Sequence, residues 1–366
     1  MKLLSVHNWL YDAPMPPTTA LDMLPDAQPT FEPPHAFPDS LSIRVGERLL
    51  GWLSVVLRVA ATIALMAVVL RNVEWSKLLV LLETVDWRWW IAGFATSMVV
   101  QVIAAVRWSA LARPIGFRFP IGFFIWRFFE GMFFSLCLPT SIGGDVVKAY
   151  RLAASTQGRL LAGCTVLADR LTGLAALGVL AGAALIGKNN SLTFIPTLAI
   201  GAVLLVAVLG TIWLGTRSLN SLLAVFPAEH PAGRLISRLL PYQMQPGLMP
   251  RAVGWSLIVQ MGSCLAVAMI SRSIGVDLPL IVWCTVVPLV ALAMVLPISI
   301  SGVGVREGGL ALLLAPCGVP TEQAVAIGLL WFLTSIMSGL IGGVLFLIDR
   351  HPALPAEFAS PREADR

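Results

Sequence analysis

The chain of 366 residues is 57% apolar and only 12% charged, with a mean hydropathy of +0.83. Soluble domains carry roughly 25% charged residues, so this chain cannot cover its surface with polar groups in water, and a soluble enzyme is excluded. Its 25 Lys and Arg against 20 Asp and Glu give a net charge of +5, the bias of a protein whose cytoplasmic loops collect cations. No basic run with interleaved aromatics marks a nucleic-acid surface. Cys137, Cys164, Cys264, Cys284 and Cys317 lie in apolar stretches without CxxC spacing, so no disulfide scaffold or zinc site is expected. His7, His35, His230 and His351 all fall outside the apolar segments, which predicts no haem, no metal site and no cofactor within the membrane.

Residues 1–45 hold eight prolines, among them Pro16-Pro17 and Pro33-Pro34, without apolar periodicity. They read as a disordered tail or as the product of a mis-assigned start, and the opening Met1-Lys2-Leu3-Leu4 lacks the apolar stretch of a signal peptide. A polytopic membrane domain follows over 46–350, and residues 351–366 read as a second disordered tail. Within the domain, apolar blocks occupy 49–70, 89–106, 119–138, 171–187, 189–216, 252–271, 278–305 and 323–348. Most approach the ~20 residues that a helix needs to cross ~30 Å of hydrocarbon. Arg127 and Glu130 interrupt the third block, and Arg58 interrupts the first, where snorkelling to the interface suits it. Trp87, Trp89 and Trp90 mark a membrane–water boundary.

Two heptads repeat each other. Leu138-Pro139-Thr140-Ser141-Ile142-Gly143-Gly144 and Leu296-Pro297-Ile298-Ser299-Ile300-Ser301-Gly302 both read LPxSIxG, 158 residues apart. Pro removes a backbone donor and Gly opens unusual backbone angles, so Pro139, Pro297, Gly302 and Gly304 predict helix breaks at membrane depth. Broken segments at matching places in two halves point to a transporter binding site. Loop charge tests the idea. If every block spans once, eight Lys and Arg fall inside and 11 outside, against the positive-inside rule. If both LPxSIxG regions are re-entrant, Lys148, Arg151, Arg159, Arg217, Arg234, Arg238 and Arg251 move inside, Lys188 and Arg272 move outside, and the count becomes 13 against six. The predicted fold is therefore an all-α polytopic bundle with two inverted-topology repeats, each containing a broken, re-entrant hairpin, and with both termini cytoplasmic.

The run from Phe133 through Leu138-Pro139-Thr140-Ser141-Ile142-Gly143-Gly144-Asp145 to Lys148, Arg151 and Leu152 resembles a signature of the lysylphosphatidylglycerol synthase transmembrane-region family, also called flippase-like. Val106-Arg107-Trp108, Asp169-Arg170 and the run from Ser301-Gly302-Val303-Gly304 to Arg306-Glu307-Gly308 fit the same resemblance, which covers roughly 50–348. Asp169 departs conservatively from the Glu of many relatives. The resemblance implies a bacterial inner-membrane protein that moves lipid between leaflets, or an accessory to such a protein. The aminoacyltransferase domain that some members carry has no counterpart within these residues, so a stand-alone member without enzymatic activity is expected.

Charges inside membrane segments usually face a bundle interior or cavity. Arg127 and Glu130 share one helix face at a spacing of three, as a structural pair or as part of a substrate path. Asp169 and Arg170 point about 100° apart on a helix, which favours partners on other helices. A helix starting after Gly143 and Gly144 exposes N–H groups and a positive dipole end to an anion, with Asp145, Lys148 and Arg151 in one stripe behind it. Asp145 also suits a simple cap. Arg306 can grip a phosphate through two donors, with Glu307 as its counter-charge, although tight helix packing alone accounts for several of the glycines. The expected function is passage of a phospholipid, glycolipid, polyprenyl or hopanoid-type lipid through a polar groove between the hairpins. The alternative is a non-transporting scaffold that docks a lipid-modifying enzyme through the loop at 217–251.

Overall fold

The computed structural model describes residues 56–57, 59–71, 73–138, 143–153, 156–186, 247–295 and 299–349, with isolated positions between 233 and 245. The Pro-rich N-terminal stretch, the C-terminal tail, Arg58, Pro139, Pro297, the apolar block at 189–216 and most of the 217–251 loop lie outside the described residues. Ten helices cover the described chain, with no strand among the described residues. They are α1 (Val59–Arg71), α2 (Trp75–Glu83), α3 (Trp87–Ala112), α4 (Ile121–Cys137), α5 (Gly143–Leu152), α6 (Thr156–Ile186), α7 (Leu248–Arg272), α8 (Leu280–Val295), α9 (Val305–Leu314) and α10 (Thr321–Ile348).

Length and composition explain most of these. Among the described residues, five segments are long and apolar enough to cross a membrane: Trp87–Ile115, Gly158–Leu180, Leu248–Arg272, Ile300–Cys317 and Thr321–Ile348. The N-terminus of α3 is fixed by Asp86, whose carboxylate accepts from the Arg88 N–H at 3.0 Å. Pro114 and then Gly116, at φ 108, stop it. The expected span at 171–187 begins earlier, since α6 runs from Thr156. Asp169 and Arg170 do not interrupt it because each has a partner on another helix.

Lipid tails are as apolar as leucine, so helices in a membrane are held together by close packing and polar contacts rather than by water exclusion. The α3–α7 pair is built this way. Gly93 faces the Ala266 carbonyl and Ile270, and Gly262 faces Val100. The two helices run antiparallel. The Asp86 N–H at the start of α3 donates to the Ser273 carbonyl past the end of α7 at 2.8 Å, and Tyr242, ahead of α7, donates its hydroxyl to the Leu111 carbonyl at 2.7 Å near the end of α3. Tyr242→Phe removes that one bond and is expected to lower stability in detergent by about 1 kcal/mol, read as a small fall in melting temperature.

Around this central pair the packing exchanges partners. α4 packs on α5 and α5 on α6, as α8 packs on α9 and α9 on α10. The first arm of each broken unit then crosses over, α4 against α10 and α8 against α6. Two apolar clusters result. One, around Trp108, Phe124 and Leu152, joins α3, α4, α5 and α6. The other, around Ile270, Trp283, Val287, Leu310 and Ile327, joins α7 to α10 with α2 and α3.

Candidate functional site

Both LPxSIxG regions fall where a helix stops. α4 has 17 residues and α8 has 16, about 25 Å each at 1.5 Å per residue, short of the ~30 Å of hydrocarbon. The second arms, α5 and α9, have ten residues apiece. The later break is the better described. Ser301 sits at φ 52, Gly302 at φ 72 and Gly304 at φ 84, and a left-handed non-glycine residue such as Ser301 persists only where its surroundings hold it. The Thr62 hydroxyl on α1 accepts from the Ile300 N–H at 2.9 Å, and Leu65 and Met66 press on Gly304. The Ser301 hydroxyl reaches the Ser135 carbonyl at 3.5 Å, so the later break touches the end of α4 beside the earlier one.

Gly143 and Gly144 are buried at the start of α5. A side-chain carbon on Gly144 would run into the Gly131 carbonyl and the Ser135 hydroxyl of α4, which identifies Gly144 as a packing glycine. Asp145 stands in the first turn of α5 and accepts from Lys148 Nζ at 3.4 Å and from Arg170 Nε at 2.7 Å. Lys148 is buried, with its ammonium 4.0 Å from the centre of the Phe128 ring. Arg151 completes the stripe over Phe346 of α10, at 5.4 Å.

The other predicted charges are tied more closely. Arg127 Nη1 donates to both Glu130 oxygens at 2.8 Å and to Asp349 Oδ2, at the end of α10, at 2.6 Å. Asp169 accepts from Arg107 Nε at 2.7 Å, and Arg107 Nη1 continues to the Ser256 hydroxyl on α7 at 2.8 Å. Asp169 and Arg170 thus bind different helices, as their angular separation predicts. Arg306 gives Nε and Nη2 to Glu307 Oε1 at 3.0 and 2.9 Å, while Glu307 Oε2 accepts from the Gly304 N–H at 2.7 Å. Both side chains are 1% exposed. Glu307 therefore caps α9 and neutralises Arg306 at once. The structure brings Asp145, Lys148 and Arg170 together where α5 meets α6, with Gly144 packed on α4 and Arg151 seated on Phe346 of α10. Arg127 with Glu130, Arg107 with Asp169, and Arg306 with Glu307 form three further separate ion pairs.

One signal at sequence level went unread. Ala112–Pro120, ARPIGFRFP, is matched 159 positions on by Ser271–Pro279, SRSIGVDLP. The shared glycines, Gly116 and Gly275, both stand at positive φ and close α3 and α7. The helices that end in this matching turn are the ones that pack antiparallel. Ser135, Thr62, Asp349 and Arg159 were missed as well. Their contacts come from remote parts of the chain and leave no local spacing to read.

Long apolar helices that bury ion pairs against one another define a multi-pass integral membrane protein. The family model described as Lysylphosphatidylglycerol synthase TM region matches residues 55–343, and the chain belongs to this family. A search of the curated proteins gave no match.

Proposed function

We propose that this protein moves a lipid between the leaflets of a bacterial inner membrane, and that it does so without catalysing a chemical change. The observation that carries the reading is the meeting of two broken helices inside a membrane-embedded body, where the Ser301 hydroxyl reaches the Ser135 carbonyl beside the Asp145–Lys148 cluster. Irregular backbone at membrane depth is tolerated where it is buried in protein or lines a polar cavity, and transporters place their sites at such breaks. The matching turns after α3 and α7, the antiparallel run of those helices and the crossed packing of α4 and α8 support two inverted repeats. On this reading the headgroup passes along the polar seam, the tails stay in lipid, and the termini are cytoplasmic.

Purified protein in liposomes is expected to move fluorescent phospholipid from the inner to the outer leaflet, read by dithionite quenching. Lys148→Met keeps the length of the side chain and leaves Asp145 paired with Arg170. Losing one charge-assisted contact of about 1.4 kcal/mol in the transition state lowers the rate roughly tenfold. Liposomes with wild-type protein that match empty ones overturn the reading.

A further inference from the structure

Two groups of cations stand out among the described residues. Arg107, Arg127 and Arg306 are buried and neutralised by carboxylates that bind them directly. The α5–α6 pair carries four more, of which Arg151 and Arg159 have no bound carboxylate among the described residues. Lys148 lies over Phe128 at 4.0 Å, Arg151 over Phe346 at 5.4 Å and Arg159 over Tyr150 at 4.1 Å. An aromatic face holds a cation in place through its quadrupole without cancelling its charge. Arg170, half exposed, completes the set on α6.

Asp145 is the only carboxylate bound to any of these four among the described residues, and Lys148 and Arg170 share it. Asp169, the next acid on α6, is held by Arg107. Glu130 of α4 is held by Arg127, which also takes Asp349 of α10. Four cations against one acid leave the seam with a net charge of +3. Arg159 Nε is in addition buried without a hydrogen-bond partner.

The geometry is a line rather than a point. Tyr150 meets Arg159 near one end of the antiparallel α5–α6 pair, and Asp145 meets Arg170 at the other. Eleven residues of helix separate Arg159 from Arg170, about 16 Å at 1.5 Å per residue. Exposed apolar side chains flank the line: Val146 and Tyr150 on α5, Leu160 and Leu167 on α6, each about 60% exposed. In a bilayer these face acyl chains.

We propose that Lys148, Arg151, Arg159 and Arg170 form a cationic track for the headgroup of a lipid bearing a phosphomonoester or diphosphate, with the chains lying against Val146, Tyr150, Leu160 and Leu167. This inference rests on the translocase reading for its role and names the headgroup class that the reading leaves open. A net charge of +3 matches two or more negative charges on the ligand. A cationic, aminoacylated headgroup is repelled by the same field. Lys148 and Arg151 stand one turn apart on α5, and Arg159 and Arg170 stand three turns apart on α6.

The test titrates detergent-solubilised full-length protein with dioleoylphosphatidic acid, dioleoylphosphatidylglycerol and dioleoylphosphatidylcholine, with inorganic pyrophosphate as a soluble competitor, and reads bound lipid by native mass spectrometry. Phosphatidic acid is expected to bind more tightly than phosphatidylglycerol, and phosphatidylcholine least. Arg151→Gln with Arg159→Gln strands no carboxylate. At about 1 kcal/mol per cation near a charged surface, the double variant is expected to weaken phosphatidic acid binding by roughly tenfold or more and to leave phosphatidylcholine unchanged. Equal affinity for the three lipids, or an unchanged double variant with wild-type melting temperature, overturns the track. Pyrophosphate that binds as tightly as phosphatidic acid overturns the lipid assignment. Failure of the liposome assay with charge-selective binding intact overturns the translocase reading and leaves the track standing.

Discussion

Glu307→Ala is expected to cost about 4–6 kcal/mol, enough to abolish the folded protein in most detergents. Two losses combine. The Arg306 guanidinium, 1% exposed, keeps its charge over the Phe332 ring at 4.8 Å but has no carboxylate. An uncompensated buried charge costs about 3–5 kcal/mol. The Gly304 N–H also loses the oxygen that caps α9, worth about 1 kcal/mol. Glu307→Gln separates the two effects, since an amide oxygen still accepts from Gly304 while the counter-charge is gone. Arg306→Met with Glu307→Gln removes both charges together and is expected to recover most of the loss. A double-mutant cycle on melting temperature measures the coupling. Single-variant costs that simply add show that Arg306 and Glu307 do not stabilise each other.

Gly342→Leu is expected to be equally damaging for a reason that involves no charge. On α10, Gly339, Gly342 and Gly343 form a bare stripe against Leu136, Phe129 and Phe133 of α4. A side-chain carbon on Gly342 would occupy the place of the Phe129 carbonyl oxygen. A backbone carbonyl cannot rotate aside as a side chain can, so α4 and α10 have to part. Overpacking typically costs about 1–3 kcal/mol where side chains can give, and more is expected here. Gly182, on α6, supplies the contrast, because nothing lies within 4 Å of a carbon added there. Gly182→Ala is expected to be neutral or to stabilise by about 0.5–1 kcal/mol. Gel filtration and melting curves of both variants check the pair.

The reading from sequence succeeds where one stretch of chain decides the outcome. α3 and α10 are long, mostly apolar runs, and a helix satisfies the backbone of such a run within itself in lipid. The breaks after α4 and α8 are legible because LPxSIxG removes a donor and supplies glycine within a few residues. Charge pairing is legible only within a helix. The spacing of Arg127 and Glu130 announces their contact, but nothing local says that Asp349 joins them from the end of α10. The α6 start at Thr156 was hidden because Asp169 and Arg170 look like an interruption until Arg107 and Asp145 arrive from elsewhere. α2, nine residues with Leu78 buried and Trp75 exposed, is too short to stand out by periodicity. The candidate site divides in the same way. The glycine positions and the stripe of Asp145, Lys148 and Arg151 are visible in the sequence. The seats of Lys148 on Phe128, Arg151 on Phe346 and Arg159 on Tyr150 come from tertiary packing.

The crossed packing restricts how this molecule can change shape. α4 belongs with α5 and α6 in the chain yet rests carbonyl against glycine on α10, and α8 rests on α6 in return. Each half therefore clasps an arm of the other. Jaws that swing apart along the line between the halves would have to tear both clasps open at once, exposing backbone to lipid. The parts free of that interlock are the short second arms, α5 and α9. α9 starts directly after the left-handed turn of Ser301, Gly302 and Gly304. On the translocase reading proposed above, the opening that admits a headgroup is a tilting of these two short arms within a fixed frame, and the cations of α5 ride on one of them.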